Sequence, residues 1–453
     1  MRQHVGSGSL GRRPELWSWC FALSLAACLA RTCGAAPSGL AASALLAVQL
    51  GSLLVAAGAL ALRRRGGAAR WPAGDLTLLL VLWVLAAAST LWSVTRSGTA
   101  QDVVGLGVVL CFLLATRAWR WQHRGDVIGD AVWIHYVIAA LTALALLITL
   151  SGADWVFGDY GRWRGLTSNA NYAGMVASIA FPIGYWLAVE RRGRARAVFV
   201  VTTLVLATAI GLSGSRGAAL AALASIVVVH VIARRGVRSL VAWGLSVFLL
   251  VSVAVGAGAV ARAFNPSTAP PQATASTAPA QPSGSPAPGP TQPSVLSPSP
   301  TPSATEEPSF GRQEENGSDI TSGRLHIWSV LIDAWKHRPL LGYGYGATAS
   351  VPGADGLTAH NLVLQVLVEL GLAGLAVFGA LIVVLVRQAD WRALPALTAA
   401  VAGIAVMELT ESSILGMGGP TAVSAWLLVL ALASGVLRDE QEPAESGESA
   451  LDA

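Results

Sequence analysis

His360 is the residue best placed to move a proton. It opens HNLVLQVLVELGLAG, where Asn361 follows and an apolar run continues to Val386. Histidine side chains titrate near neutrality, so an imidazole at the mouth of a helix suits a general base. At ~100° per residue, Gly371 and Gly374 fall within ~40° of the His360 direction. Small residues on one face would admit a neighbouring helix closely. A membrane-interface histidine with no task would look the same on this stretch alone. Four arginines could serve an anion. Arg162 and Arg164 lie in GRWRGLTSNANYAG, Arg216 in SGSRGA, and Arg324 opens RLHIWSVLIDAWKH. Guanidinium forks bind phosphate bidentately, although each arginine taken singly could be a headgroup contact or a surface ion pair. Glu408 and Glu411, three apart and expected on one helical face, are the reserve bases. Glu369 lies nine residues past His360. On a straight helix that is ~13.5 Å deeper and ~180° away, so it reads as an interhelical hydrogen bond. His135 and His230 read as structural. No outward cluster of Asp, Glu and His has metal-ligand spacing, so neither a metal nor a cofactor is expected.

The elements that must position these residues are membrane spans. The chain has 453 residues, 54% hydrophobic and only 12% charged, with a mean hydropathy of +0.58. Soluble domains carry roughly 25% charged residues. The expected fold is therefore all-α and polytopic, with about twelve transmembrane helices. The segments run roughly 15–32, 38–62, 75–93, 101–117, 127–150, 171–189, 197–213, 217–233, 239–261, 360–386, 393–411 and 420–437. Cys20, Cys28, Cys33 and Cys111 lie in or beside them and read as small core residues. The net charge of +5 is no argument for nucleic acid, because the arginines sit in short loops between apolar runs.

Charge orients the bundle. With the N-terminus cytoplasmic, 20 of the 30 Lys and Arg face the cytoplasm. Five of the rest face outward in short loops, and five lie in one long loop that translocates regardless of charge. Both termini are then cytoplasmic. His360, Glu408, Glu411 and the four arginines all meet the outer membrane face. A ring of guanidinium groups there suits a lipid diphosphate.

The chain divides accordingly. Residues 1–150 are N-terminal spans, and 151–264 are spans with outward arginine-bearing loops. Residues 265–309 hold 13 of the 22 prolines and no aromatic, Lys or Arg. Such a segment cannot bury enough apolar surface to offset ordering entropy, so it reads as a disordered linker between spans nine and ten. Residues 310–359 are an outward loop whose stretch 322–337 has apolar residues at helical spacing, at Leu325, Trp328, Leu331, Ile332 and Trp335. That helix would lie on the outer membrane surface or pack on the bundle. Residues 360–437 are C-terminal spans, and 438–453 form a disordered acidic tail.

His360-Asn361, nine residues, then Gly371-x-x-Gly374 resembles the signature of bacterial O-antigen ligases. GRLHIWSVLIDAWKHRPLLGYGYGA is similar to the block that precedes this histidine in the O-antigen ligase/polymerase superfamily, and RWRGLTSNANYAG and SGSRGA are similar to its earlier arginine-bearing blocks. The likeness covers roughly Arg162 to Leu415. It implies metal-independent transfer of a glycan from polyprenyl diphosphate to a glycan or glycolipid acceptor, at the outer face of the cytoplasmic (inner) membrane. In that reading His360 is the base and Arg216 joins it in catalysis. Arg162, Arg164, Arg216 and Arg324 hold the donor diphosphate, and Asn361, Gly371, Gly374, Glu408 and Glu411 support them. The alternatives are a polymerase of the same superfamily, which would extend the lipid-linked glycan, and a lipid-glycan flippase. Transporters place charged groups near the membrane midplane, whereas here only Glu369 is expected deep.

Overall fold

The computed structural model describes residues 16–32, 40–62, 73–123, 127–158, 162–232, 244, 324–354, 356–389, 391, 394–415 and 420–433. Among them are twelve α-helices and no strand, only an isolated bridge between Phe157 and Trp163. They are α1 (Leu16–Thr32), α2 (Leu40–Leu62), α3 (Ala73–Ser89), α4 (Arg96–His123), α5 (Val127–Leu150), α6 (Ala170–Glu190), α7 (Gly193–Ser213), α8 (Arg216–Ile232), α9 (Arg324–His337), α10 (Leu362–Gln388), α11 (Pro395–Glu408) and α12 (Pro420–Ala433). The expected ninth span at 239–261, the linker at 265–309 and the C-terminal tail fall outside the described residues.

Among the described residues six helices are long and apolar enough to cross a membrane, namely α2, α4, α5, α6, α7 and α10. Shorter apolar stretches occur in α1, α3, α8 and α11. Large apolar side chains point outward along these helices, with Leu62 89%, Leu150 83% and Val231 70% exposed. Water would penalise such a surface and lipid would not. The chain is a helical membrane protein.

α6 is the axis of the bundle. It is buried along nearly its whole length, from Ala170 to Ala188, and α5, α7, α8, α11 and α12 pack around it. Small residues set the spacing. A Cβ on Gly174 of α6 would sit 2.6 Å from Ser213 Oγ and 2.8 Å from Ser215 Cβ. A Cβ on Gly403 of α11 would meet Ser225 Oγ of α8 at 2.4 Å, and Ser225 donates to the Ala399 carbonyl of α11 at 2.9 Å. Glycine and serine let these backbones approach as membrane helices do.

The structure corrects the expectations for Cys111 and α10 and adds detail to that for α9. Cys20 and Cys28 are buried, but Cys111 is exposed on α4. α9 packs on the bundle, yet Leu325 (61% exposed) and Ile332 (40%) face outward. Leu331 and Ala334 carry the contact, with Ile327, Trp328 and Trp335, against Tyr343, Ala359, Leu364 and Val368. The largest correction concerns α10, which is not straight. At Gly371 the backbone turns to φ 65, ψ −162. What fills the opening is a loop, not a neighbouring helix. The N–H of Tyr343 donates to the Val368 carbonyl and that of Gly344 to the Glu369 carbonyl, both at 2.9 Å. The N–H groups of Leu372 and Ala373 donate back to the carbonyls of Pro339 and Leu340, at 2.8 and 3.1 Å. A Cβ at Gly371 would lie 2.3 Å from the Leu340 backbone. The histidine-to-glycine spacing thus marks a broken helix whose freed backbone groups are satisfied by an inserted loop.

Candidate functional site

The break in α10, the loop after α9, the turn after α11 and the α3–α4 corner meet at one end of the bundle. They enclose a cavity of about 490 Å³. His360, Glu411, Glu369 and Asp102 line it, with Tyr345 and Thr348 between them.

His360 precedes α10. Asn361 caps the helix, its Oδ1 accepting from Leu364 N at 3.0 Å while its Nδ2 donates to the Leu409 carbonyl at 3.0 Å. His360 itself has φ 45, a left-handed conformation held by no other non-glycine residue among those described. Such a backbone costs on the order of 1–3 kcal/mol and persists only where its surroundings over-determine it. The surroundings here are Glu411, whose Oε2 is 2.8 Å from His360 Nδ1, and Thr358, whose Oγ is 3.0 Å from His360 Nε2. The second oxygen of Glu411 accepts from Arg324 at 2.6 Å. The Glu411 side chain is 6% exposed, Arg324 22% and His360 34%. One shielded carboxylate therefore joins a half-open imidazole to a guanidinium.

Glu408 and Glu411 do not share a helical face. α11 ends at Glu408, and Glu411 lies in the turn beyond it. Glu408 braces that turn, accepting from the N–H of Ser413 at 3.0 Å, from the Ser413 hydroxyl and from the N–H of Ile414. Glu411 alone of the two lines the cavity.

The arginines separate. Arg162 donates to the Ser213 carbonyl at 2.9 Å and to Asn171 Oδ1 at 2.7 Å, and Asn171 belongs to the cavity wall. Arg216 is exposed at the first position of α8. Its neighbour Gly217 packs so closely that a Cβ would lie 2.4 Å from Thr410 Oγ and 3.8 Å from Glu411 Cγ. Arg162 thus bonds to the cavity wall, and Arg216 directly precedes the residue that packs on the turn bearing Glu411. Arg164 does not join them. It donates to the Trp155 carbonyl at 3.0 Å and lines a separate small apolar cavity with Leu25, Leu29 and Trp163. Gly371 and Gly374 shape the break in α10: a Cβ on Gly374 would meet Leu370 across it at 2.2 Å.

Glu369 is placed otherwise than a straight helix implies. Because His360 lies before α10, helical projection from it does not apply, and both residues line the same cavity. Glu369 is bonded not to another span but to Thr348 Oγ at 2.7 Å and to Gln365 Nε2 at 3.0 Å. Asp102 of α4 reaches over Gly346, where a Cβ would clash with its Oδ2. Sequence reasoning missed Asp102, Tyr345 and Thr348. The glycines at 342, 344 and 346 were the available signal. All three have positive φ, and they let the loop insert. His135 and His230 are buried and bonded inside the bundle, His135 to Thr202 and the Ala180 carbonyl, His230 to Tyr185. Among the described residues no group of three His, Cys, Asp or Glu is arranged to hold a metal ion.

These features define a helical membrane protein with a polar cavity at one end of its bundle and a histidine-carboxylate-arginine relay at the cavity mouth. Residues 200–379 match the family model described as Wzy_C, O-antigen ligase, a match that supports the O-antigen ligase/polymerase superfamily for this chain. The matched stretch holds Arg216, Arg324, His360, Glu369, Gly371 and Gly374, and leaves Asp102, Arg162 and Glu411 to the flanking chain. No curated protein matches the chain.

Proposed function

We propose that this protein is an O-antigen-ligase-like glycosyltransferase. It would move a glycan from polyprenyl diphosphate to an acceptor hydroxyl at the outer face of the cytoplasmic membrane, with both termini inside. The observation that carries the reading is the contact of His360 Nδ1 with Glu411 Oε2 at 2.8 Å. A carboxylate on Nδ1 holds the N–H there and leaves the Nε2 lone pair free to accept a proton. Thr358 Oγ, 3.0 Å from Nε2, marks where an acceptor hydroxyl would come. In the proposed step Nε2 takes the hydroxyl proton and the acceptor oxygen attacks the anomeric carbon. The bond from that carbon to the diphosphate breaks, and the lipid diphosphate leaves with the electron pair. Glu411 then stabilises the imidazolium. Arg162 and Arg216 would take the charge growing on the diphosphate, so the reading needs no divalent ion.

A polymerase of the superfamily would use the same chemistry with a lipid-linked acceptor. The test that separates transfer from flipping is the sidedness of lipid-linked glycan in a His360→Ala strain. A transferase lacking its base leaves the donor stranded on the outer leaflet, with transfer down roughly 10²–10⁴-fold. Donor trapped facing the cytoplasm would overturn the reading.

A further inference from the structure

We propose that the cavity behind His360 seats the acceptor sugar and admits rings without acidic groups while rejecting phosphorylated or carboxylated ones. This rests on the transferase reading above. The volume, about 490 Å³, falls in the range of roughly 300–1,000 Å³ typical of small-molecule sites.

The wall decides the chemistry. It holds three carboxyl groups, Asp102, Glu369 and Glu411, and among its described residues no Arg or Lys. Glu411 is already matched by Arg324 and His360. Asp102 and Glu369, at the inner end, have no cationic partner among the described residues, and they feel each other's charge. Glu369 is 2% exposed, and its Oε2 has no hydrogen-bond partner. An ionised carboxylate only accepts hydrogen bonds, and the side-chain donors that reach Glu369, Thr348 and Gln365, both go to its Oε1. Sugar hydroxyls supply donors, and an amino sugar supplies them with a positive charge. A buried acceptor left unpaired is costly, which favours a ring that reaches it. A phosphate or uronate would meet like charge with nothing to offset it, which discriminates against it by roughly 10-fold or more.

The same wall excludes the donor's diphosphate. Its proposed guanidinium partners, Arg162 and Arg216, are absent from that wall: Arg162 bonds to Asn171 at its edge, and Arg216 precedes Gly217, which packs on the turn bearing Glu411. The acceptor ring and the leaving group thus occupy compartments of opposite character, with His360 between them.

The test uses the full-length protein in liposomes carrying a polyprenyl-diphosphate oligosaccharide donor. Soluble acceptors of matched length end in a neutral hexose, an amino sugar, a hexuronate or a phosphorylated hexose, and release of lipid diphosphate is followed. We expect the acidic acceptors to show a KM higher by roughly 10-fold or more. Glu369→Gln and Asp102→Asn should raise the KM for the neutral acceptor, narrow the gap to the acidic ones and leave the donor KM unchanged. Equal use of acidic and neutral acceptors by the unaltered protein would overturn the proposal, and so would variants that shift donor KM in place of acceptor KM. Because the acceptor panel needs no substitution, a variant that misfolds leaves the test standing. Absence of lipid diphosphate release from the unaltered protein with every acceptor would instead reject the transferase reading, and this inference with it.

Discussion

Glu411 and His360 are 51 positions apart in the chain, and their Oε2 and Nδ1 atoms are 2.8 Å apart in the fold. Two separate devices bring them together. Asn361 ties the start of α10 to the Leu409 carbonyl, and Glu408 holds the turn that presents Glu411. The carboxylate therefore meets the ring because the last residues of α11 are organised to deliver it. Removing the charge while keeping the shape isolates its role. Glu411→Gln offers an amide that can donate to Nδ1 and so invert the tautomer, putting the N–H on Nε2, where the acceptor proton must go. In hydrolytic triads that inversion is severe. Here kcat should fall by about 10²-fold or more with folding intact, while Glu408→Gln should chiefly lower thermal stability, since Glu408 supports the turn and does not line the cavity. Equal kcat for Glu411→Gln and the unaltered protein would remove the carboxylate from the mechanism.

Gly371 should be intolerant of any side chain. It has φ 65, and a Cβ there would lie 2.3 Å from the carbonyl of Leu340, which is backbone and cannot rotate aside. The strain of a non-glycine residue in that region costs roughly 1–3 kcal/mol before the clash is counted. Gly379, further along the same helix, has nothing within 4 Å of the position a Cβ would take, so Gly379→Ala should be neutral or slightly stabilising. Thermal unfolding of the two variants in detergent makes the comparison. A Gly371→Ala protein as stable as Gly379→Ala would mean that the loop does not insert into α10.

Eleven of the twelve expected segments correspond to helices among the described residues, but only six of these are long and apolar enough to cross a membrane. The site was legible only in outline. His360, Asn361, Arg216 and the two glycines stood out as residue types at a spacing, but the function of the spacing did not. Reading α10 as straight put Glu369 on the far side from His360, whereas the break at Gly371 and the placement of His360 before the helix put both on one cavity. Asp102 could not be found from the chain, since an acidic residue early in an apolar helix signals nothing until the loop at Gly346 is seen to close over it. Arg164 illustrates the opposite error. Two residues from Arg162 and in the same motif, it is directed to a different cavity by its bond to the Trp155 carbonyl.

The arginines should accordingly divide in function. Arg162→Lys and Arg216→Lys keep the charge but lose the planar fork that grips a diphosphate. Each should raise the donor KM, by roughly 10-fold for a lost charge-assisted contact. Arg164→Lys should leave the donor KM within about 2-fold, any loss appearing as lowered stability. Donor titrations on the three purified variants provide the check. A donor KM raised as much by Arg164→Lys as by Arg216→Lys would mean that the diphosphate contacts extend further than the geometry around Asn171 implies.

The stretch 265–309 should be dispensable for chemistry. It lies outside the described residues, between α8, which ends at Ile232, and α9, which begins at Arg324. It offers a glycan no histidine and no cation, only hydroxyls, four amides and two carboxylates, Glu306 and Glu307. Every contact that positions the relay comes from elsewhere: Arg324 on α9, Thr358 and His360 before α10, and Glu411 after α11. Deleting 265–309 leaves 32 residues before it and 14 after it to join α8 to α9, counted as 233–264 and 310–323. On the reading of 265–309 as a linker, its removal changes closure entropy by only about 0.6 kcal/mol per halving of length, far less than the packing of α9 on the bundle resists. Transfer by the deleted protein, measured against its level in the membrane, should stay within about 3-fold of the full chain. Loss of transfer at normal protein levels would show that the segment contacts the donor or acceptor directly.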